Sequence, residues 1–348
     1  MRLAIVSDAW RPQVNGVVTT LEHTIRCLER EGIRTEVIHP GDFLTMPCPS
    51  YPSIRLAMFP WRGVARALRR IDADAVHIAT EGPLGFAARR YCVANGLRFT
   101  TSYHTQYPRY LRSRWPIPEK LTYALLRYFH SAATHTMVAT ESMRNELQSG
   151  GFRNLVDWGR GVDADLFRPR PQGFLGLPRP ISMYVGRLAV EKNLPAFLDL
   201  DMPGTKVVVG DGPIASELAA RYPAVRFVGL QRGEALARHV ADADVFVFPS
   251  RTDTFGVVML EAMACGVPIA AYPTAGPIDV VRNGETGVLH EDLGQAIREA
   301  LLLDGQRCRE YALTKSWASA ASQFASHLVS AGGHSLPLPA TRAGMEAA

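Results

Sequence analysis

Residues 245–273 read VFVFPSRTDTFGVVMLEAMACGVPIAAYP, and this stretch decides the fold class. Val245–Phe248 is β-branched and aromatic, which is typical of a strand buried on both faces of a parallel sheet. Apolar residues then recur at helical spacing from Gly256 until Gly266, where a glycine followed by a proline stops the helix. Ile269–Tyr272 is a second strand. The stretch therefore predicts a βαβ unit, and its polar loop lies at the sheet edge where α/β proteins bind ligands.

Two carboxylates of this unit, Asp253 and Glu261, lie eight positions apart on the loop and the helix. Between them, Phe255, Gly256 and Val257 present backbone amides where the helix begins. Such amides suit a phosphate or another anionic oxygen, and a carboxylate further along the helix could accept hydrogen bonds from a ribose diol. The alternative interpretation is that Asp253 only caps the helix and Glu261 is a solvated side chain.

The pair resembles the E-x7-E signature of the retaining GT-B glycosyltransferases of glycosyltransferase family 4. The resemblance implies that Asp253 lies near the donor sugar, that the amides of Phe255, Gly256 and Val257 meet sugar hydroxyls, and that Glu261 binds the ribose. This chain has Asp where the family has Glu at the first position. The carboxylate keeps its charge but reaches about one methylene less far, which affects the sugar hydroxyls that it can hold.

Arg187 and Lys192 follow a predicted strand, Ile181–Val185, in the second half of the chain. Two cations at this edge would neutralise a diphosphate without a metal ion, and the alternative is a pair of surface cations. The stretch is similar to the family's G-R-x-x-x-x-K-N segment. A rival motif, G-x-G-x-x-A at 210–215, would indicate a dinucleotide-binding oxidoreductase. Gly-Asp-Gly-Pro at this place also resembles the transferase family.

Gly16 and His104 are the candidates in the first half. Gly16 precedes a helix predicted at Val17–Glu31, where a missing Cβ would admit a diphosphate; an ordinary tight turn is the alternative. Its P-x-x-N-G-V context resembles the family's opening, which implies a glycine under the donor diphosphate. His104 follows the predicted strand Arg98–Ser102, and a structural histidine is the alternative. The resemblance implies that it points at the donor sugar.

The first half also carries most of the positive charge: residues 1–170 hold 23 basic and 15 acidic side chains, and the remaining residues hold 15 and 18. This asymmetry favours an anionic partner. Basic residues are interleaved with aromatics, which suits an anionic membrane surface or single-stranded nucleic acid; a solvated helix is the plain alternative. We expect the membrane and no nucleic acid. The candidate contacts are Arg62, Arg66, Arg69, Arg70, Arg109, Arg112, Arg114 and Lys120.

Composition agrees with an intracellular globular protein. The chain is 47% hydrophobic and 20% charged over 348 residues, which predicts two domains. Met1–Val6 is too short for a signal-peptide core, and we expect no transmembrane helix. The five cysteines lack a C-x-x-C pair, so we expect reduced thiols, no metal cluster and a cytoplasmic location. This location includes peripheral association of the protein with the inner face of the cytoplasmic membrane.

The βαβ pattern predicts an α/β protein. The resemblance, which covers about residues 1–330, implies the GT-B class, with two Rossmann-like, doubly wound parallel-sheet domains facing a central cleft. We expect an N-terminal acceptor-side domain at 1–170 and a nucleotide-sugar domain at 171–315. By resemblance, a helix at 316–330 crosses back to the first domain. A disordered tail is expected at 331–348.

The predicted function is a hexosyl transfer, and the resemblance implies that it retains the anomeric configuration and proceeds by front-side displacement. No cluster of Asp and Glu suggests a required metal, so we expect no metal or other cofactor. The donor would be UDP-glucose, UDP-glucuronate or GDP-mannose, and the acceptor a lipid or glycan hydroxyl, with a diacylglycerol-type membrane lipid as the leading hypothesis. Two alternatives stay open: a nucleotide-sugar epimerase or hydrolase on the same fold, and a non-catalytic sugar-nucleotide-binding protein.

Overall fold

The computed structural model describes residues 1–13, 15–48, 51–104, 118–333 and 336. The described residues form two compact units. The first contains residues 1–104, 118–159 and those from Trp317 onward, and the second contains residues 160–316. Each unit is built on a six-stranded parallel sheet, which confirms the predicted fold class of two Rossmann-like domains.

The first unit holds eight described strands. They are β1 (Arg2–Val6), β2 (Arg34–Ile38), β3 (Thr45–Cys48), β4 (Tyr51–Ala57), β5 (Ala75–Ile78), β6 (Thr100–Tyr103), β7 (His135–Val138) and β8 (Leu155–Asp157). The parallel sheet has the order β2-β1-β5-β6-β7-β8, and β3 with β4 forms a separate antiparallel hairpin. Its helices are α1 (Gly16–Arg30), α2 (Trp61–Ile71), α3 (Pro83–Ala94), α4 (Glu119–His130), α5 (Glu141–Ser149) and the chain's last helix, Trp317–His327.

The second unit repeats this architecture with a different strand order. Its strands are β9 (Ile181–Val185), β10 (Thr205–Val209), β11 (Arg226–Gly229), β12 (Val245–Phe248), β13 (Ile269–Ala271) and β14 (Gly287–Leu289), in the order β11-β10-β9-β12-β13-β14. Its helices are α6 (Pro195–Leu198), α7 (Ala215–Arg221), α8 (Gly233–Ala241), α9 (Val257–Ala264), α10 (Pro277–Val280), α11 (Leu293–Ala300) and α12 (Gly305–Leu313). The last helix of the first unit is α13.

Both sheets are covered on both faces, as the continuous apolar strands predict. In β1, Leu3 and Ile5 enter one buried cluster and Ala4 and Val6 enter another. Side chains of a strand alternate between faces, so each face has its own helical layer. In the layer below Leu3 and Ile5, α13 packs on α1 through Phe324.

One hairpin was not predicted. The sequence from Gly41 to Pro60 is rich in proline and serine and predicts an irregular loop followed by an extended piece, whereas β3 and β4 pair there from Thr45↔Ala57 onward. Proline is compatible with a two-stranded ribbon because both of its strands are edge strands. Among the described residues, no helix is long and apolar enough to cross a membrane.

Candidate functional site

The ligand edge of the second unit lies between β9 and β12. The chain builds the sheet outward from β9 to β11, then returns and continues from β12 to β14, so β9 and β12 are neighbours. Parallel sheets of this order bind ligands at the carboxyl ends of the two strands where the direction reverses. Arg187 and Lys192 follow β9, and Asp253 and Glu261 follow β12. The fold thus brings the four predicted charged donor-binding residues of this unit to one edge.

Asp253 and Lys192 form an ion pair across this edge. The Lys192 Nζ atom lies 2.5 Å from Asp253 Oδ1, and the two side chains are only 21% and 22% exposed. The second carboxylate oxygen, Oδ2, is buried and has no hydrogen-bond donor in the part of the chain that the structure describes. A buried acceptor without a donor is costly, and a ligand hydroxyl would supply one.

Asn193 fixes the loop that carries Lys192, a role that the sequence did not reveal. It adopts a left-handed backbone with φ 55° directly after the 3-10 turn Val190–Lys192, a conformation that asparagine tolerates better than most residues. Its Nδ2 donates to the Pro249 carbonyl oxygen at 3.2 Å. The loop after β9 is thereby tied to the end of β12.

Tyr184 holds the loop that carries Arg187. The sequence did not reveal this role, because Tyr184 lies in an otherwise apolar strand. Its hydroxyl donates to the Arg187 carbonyl oxygen at 2.9 Å. Burial raises the pKa of Tyr184 well above its ordinary value, and the nearby charges of Asp253 and Glu191 raise it further. The hydroxyl therefore stays a neutral donor.

Two glycines shape the backbone around Asp253. Gly256 has φ 83° and precedes α9, which begins at Val257, so the first amides of the helix lack partners within it. Gly276, with φ 92°, packs so closely that a Cβ there would lie 2.8 Å from the Asp253 carbonyl oxygen. Only glycine fits both the dihedral angle and the space. The Asp253–Phe255 backbone is consequently fixed from two sides.

Glu261 lies in the second turn of α9, beyond these amides. Burial raises its pKa to about 7. A carboxyl group in this condition changes between its neutral and ionised forms near physiological pH. Hydrogen bonds from hydroxyl donors would favour the ionised form.

The glycines of the rival dinucleotide motif have a packing role. A Cβ on Gly210 would lie 1.9 Å from the Gly186 carbonyl oxygen, and a Cβ on Gly212 would lie 2.2 Å from that of Leu188. The Leu188 amide donates to the Asp211 carbonyl oxygen at 2.9 Å. The glycines thus let two loop backbones touch at the ligand edge.

In the first unit, Gly16 is the first residue of α1, rather than a loop residue before it. The cap is Asn15, whose side-chain oxygen accepts from the amides of Val17 and Val18, both at 3.0 Å. This bond gives the asparagine of the N-G-V segment a role that sequence reasoning missed, although N-cap preference could have found it. Among the described residues, and apart from its chain neighbours and its own helix backbone, no atom lies within 4 Å of the position that a Gly16 Cβ would take.

His104 directly follows β6 and is partly buried. Its Nε2 atom lies 2.9 Å from the Ser102 hydroxyl, and its ring is 5.5 Å from that of Trp158. The role of His104 toward the donor stays a prediction. The same holds for Gly16.

The predicted basic surface is centred on α2. A cavity of about 600 Å³ is lined by Trp61, Arg62, Ala65, Arg66, Arg69 and Arg90. Arg90 comes from α3 and was not predicted. Arg70 does not line this cavity; it pairs with Glu36 at 3.2 Å. Arg109, Arg112 and Arg114 lie outside the described residues, and Lys120 is exposed at the start of α4.

No group of three or more His, Cys, Asp or Glu side chains suited to a metal occurs in the described ranges. Metal-independent chemistry stays a prediction.

Comparison with a solved structure gives the class of protein. The chain superimposes on sucrose-phosphate synthase from Thermosynechococcus elongatus with a TM-score of 0.75, over 93% of this chain and 97% of the other, at 20% identity. At this identity the likeness shows the fold, which is that of the GT-B glycosyltransferases.

Sequence comparisons give the family. Residues 14–166 match the model of Glycosyltransferase Family 4 and residues 179–303 match Glycosyl transferases group 1. A GDP-mannose-dependent alpha-mannosyltransferase of Mycolicibacterium smegmatis is 32% identical over 83% of this chain and 84% of its own. An alpha-monoglucosyldiacylglycerol synthase of Streptococcus pneumoniae is 26% identical over 87% of this chain and 78% of its own. The chain belongs to glycosyltransferase family 4. It is a hexosyltransferase that acts on nucleotide sugars, which decides against the oxidoreductase and the non-catalytic alternatives.

Proposed function

We propose that this enzyme transfers mannose from GDP-mannose to a hydroxyl group of a membrane lipid, with retention of the anomeric configuration. The observation that carries the proposal is the group of Arg187, Lys192, Asp253 and Glu261 at the edge between β9 and β12. The choice of GDP-mannose is supported by the mannosyltransferase relative, whose identity with this chain is the higher of the two relatives compared. UDP-glucose and UDP-glucuronate are the competing donors.

Each residue of the edge matches one part of such a donor. Arg187 and Lys192 balance the charge of the diphosphate, which increases as the bond to the sugar breaks. Glu261 accepts from the ribose hydroxyls. Asp253 Oδ2, the buried oxygen without a donor, accepts from a sugar hydroxyl and orients the ring.

In front-side displacement, the acceptor oxygen attacks the anomeric carbon on the face that the diphosphate leaves. The bond from the anomeric carbon to the diphosphate oxygen breaks as the new glycosidic bond forms. The acceptor hydroxyl gives its proton to the departing diphosphate, so no protein nucleophile is consumed. His104 contacts the donor sugar in this proposal, and Gly16 leaves room for the diphosphate.

The lipid acceptor is supported by the surface of the first unit. The cavity beside α2 is lined by four arginines and no acidic side chain, and none of the four has an ion-pair partner among the described residues. Phe59, 82% exposed, and Trp61, 45% exposed, lie beside it in the chain. Cations with interfacial aromatic side chains favour the surface of an anionic bilayer, which would place the enzyme at the inner face of the cytoplasmic membrane.

The test is a donor-by-acceptor turnover assay. GDP-mannose, UDP-glucose and UDP-glucuronate are each incubated with the full chain and with vesicles of phosphatidylglycerol or phosphatidylcholine, with and without diacylglycerol. Released nucleotide and lipid-linked sugar are quantified together, and the product is digested with α- and β-specific mannosidases. The Lys192→Met variant serves as the control for site-dependent turnover.

We expect equal amounts of GDP and α-linked mannolipid, formed only with lipid present and abolished in the control variant. GDP release without transfer to any lipid would indicate a hydrolase. Turnover of a UDP-sugar alone would refute the donor assignment, and a β-linked product would refute retention.

A further inference from the structure

The outer face of α4 carries an exposed apolar stripe. Leu121, Leu125 and Tyr128 are 64%, 52% and 59% exposed. At 100° per residue these three positions lie within about 60° of one another around the helix axis. The buried face of α4 holds other residues, among them Leu126 and Phe129. The helix therefore has a second apolar face, which its packing in the first unit does not use.

Helix α3 joins this stripe to the basic cavity beside α2. The guanidinium carbon of Arg90 lies 5.7 Å from the centre of the Trp61 ring on α2. The guanidinium carbon of the preceding residue, Arg89, lies 4.0 Å from the centre of the Tyr128 ring on α4. Side chains of all three helices also share one buried cluster. The helices α2, α3 and α4 therefore form one layer, and their outer faces form a continuous surface.

Apolar side chains lie on both sides of the arginines of this surface. Phe59, before α2, is 82% exposed, and Val93, one turn after Arg89 on α3, is 53% exposed. Phe59 has a left-handed backbone with φ 48°, which a bulky residue rarely adopts. In the second unit, the exposed large apolar side chains that the structure describes fall singly on separate elements, as is ordinary for a protein surface. Grouped as they are in the first unit, such side chains mark an interaction site.

The charges beside the stripe indicate the kind of partner. Lys120 and Arg127 are exposed on α4, and the only acidic residue of this helix is Glu119 in its first turn. Lysine and arginine next to leucine and aromatic side chains match a bilayer surface, where phosphate groups lie above the acyl chains. A helix in this position buries its apolar face about 5–10 Å into the boundary between headgroups and acyl chains.

We propose that the outer face of α4 inserts into an anionic bilayer beside the basic surface of α2, with Leu121, Leu125 and Tyr128 at the edge of the acyl chains. The choice of a bilayer rests on the lipid acceptor of the proposed function, whereas the position of the stripe rests on the structure of the first unit. The α2 arginines supply the salt-sensitive part of the binding. The α4 stripe supplies the part that persists at high salt.

The test is sedimentation of the full chain with phosphatidylglycerol vesicles at low salt and at about 1 M salt, where charges more than about 3 Å apart are screened. The test variant carries Leu121→Gln and Leu125→Gln together. The matched control carries Leu302→Gln and Leu313→Gln, which remove two leucines of the second unit that are 86% and 54% exposed. The test variant should bind about 30-fold more weakly than the wild type at both salt concentrations. The control should bind like the wild type.

An arginine variant separates the two contacts. Replacing Arg62, Arg66 and Arg69 together by Gln removes charge and leaves the stripe of α4 in place. This variant should bind more weakly than the wild type at low salt and equally well at about 1 M salt, because screening removes the contribution of the arginines from both proteins. A wild-type protein that leaves the vesicles at about 1 M salt would overturn the proposal.

The position of α4 in the bilayer is measured by fluorescence. Leu125→Trp adds one indole to the stripe, and its signal is the difference between the variant and the wild type. Vesicles with bromine on the acyl chains should quench this added signal and should leave that of Leu313→Trp, on α12, unchanged. An unquenched Leu125→Trp signal on bound protein would overturn the proposal, even if the double glutamine variant did not fold.

Equal vesicle binding by the Leu121 and Leu125 variant and its control would also overturn the proposal. In that case, transfer of sugar to a short-chain diacylglycerol in solution would leave the proposed function intact. Quenching and salt-resistant binding in a protein that transfers no sugar would refute the proposed function and leave the contact of α4 with the bilayer intact.

Discussion

Glu261 allows a sharp test of the donor site, because its protonation state and its proposed ligand are linked. Its pKa of about 7 arises from burial. Ribose hydroxyls donate to the ionised carboxylate and lose these charge-assisted bonds when it is protonated. If only the ionised form binds the nucleotide well, the bound fraction follows the ionised fraction. The affinity for the donor should therefore rise with pH through 7.

The expected size follows from the pKa. About nine-tenths of the carboxyl groups are ionised at pH 8 and about one-tenth at pH 6, so Kd should fall about tenfold over this range, or about 1.4 kcal/mol. The assay is calorimetric titration of GDP-mannose without acceptor, since its diphosphate is esterified at both ends and does not itself titrate there. The matched control is Glu261→Gln, which keeps the shape of the side chain and removes its titration.

The variant should bind with a Kd that is nearly flat between pH 6 and pH 8. At pH 8 it should bind about tenfold more weakly than the wild type, since charged hydrogen bonds contribute about 1.5–3 kcal/mol. A wild-type Kd independent of pH would refute the assignment of Glu261 to the ribose. If the Kd of the Glu261→Gln variant still changed with pH, the titration would belong to another group.

The stability of the folded protein should change with pH in the direction opposite to that of the donor affinity. Because folding raises the pKa of Glu261 above its ordinary 4.5, this side chain's stabilising contribution is complete below about pH 4.5 and is lost as pH rises through 7. At pH 8 the loss is at most about 3 kcal/mol. Glu261→Gln should therefore raise the melting temperature at pH 8 and leave it nearly unchanged at pH 4.5.

Two further predictions concern charge. Replacing Arg62, Arg66 and Arg69 together by Gln should weaken sedimentation with phosphatidylglycerol vesicles about 100-fold at low salt, since each cation near an anionic bilayer contributes about 1 kcal/mol; equal binding by this variant and its control would refute the surface. The control is a triple variant that removes three exposed positive charges of the second unit, namely Arg226→Gln, Arg232→Gln and Arg307→Gln. Asp253→Asn should lower kcat/KM for the donor about 30-fold. The Kd of free GDP should stay equal or become lower, because Lys192 then has no carboxylate partner. A weakened GDP affinity would contradict the assignment of Asp253 to the sugar and Lys192 to the diphosphate.

Local signals were sufficient for most of the fold. The strand Val245–Phe248 has an apolar composition with a proline directly after it, and both signals act within a few residues. The hairpin of β3 and β4 was missed because prolines predict breaks, whereas its pairing depends on residues up to twelve positions apart, such as Thr45 with Ala57. Sequence pattern thus located buried parallel strands more reliably than an exposed ribbon.

The candidate site was predictable where a charged side chain directly follows a strand, as Arg187 does after β9. The residues that hold such side chains were not predictable. Asn193 acts through Pro249, 56 positions away, and Arg90 joins the α2 cavity only because α3 packs on α2. The functions of these residues arise from packing between elements that are distant in sequence. Local sequence patterns therefore do not predict them.

The ion pair between Lys192 and Asp253 links the two halves of donor recognition. Without a donor, each charge has the other as its partner at 2.5 Å. When a diphosphate approaches Lys192, the ammonium shares its hydrogen bonds between two anions, and Asp253 loses part of its stabilisation. A sugar hydroxyl that donates to Oδ2 would restore that loss, whereas a bare nucleotide diphosphate offers none. We therefore expect Asp253 to favour the intact donor over the released nucleotide, which would help the product to leave after transfer.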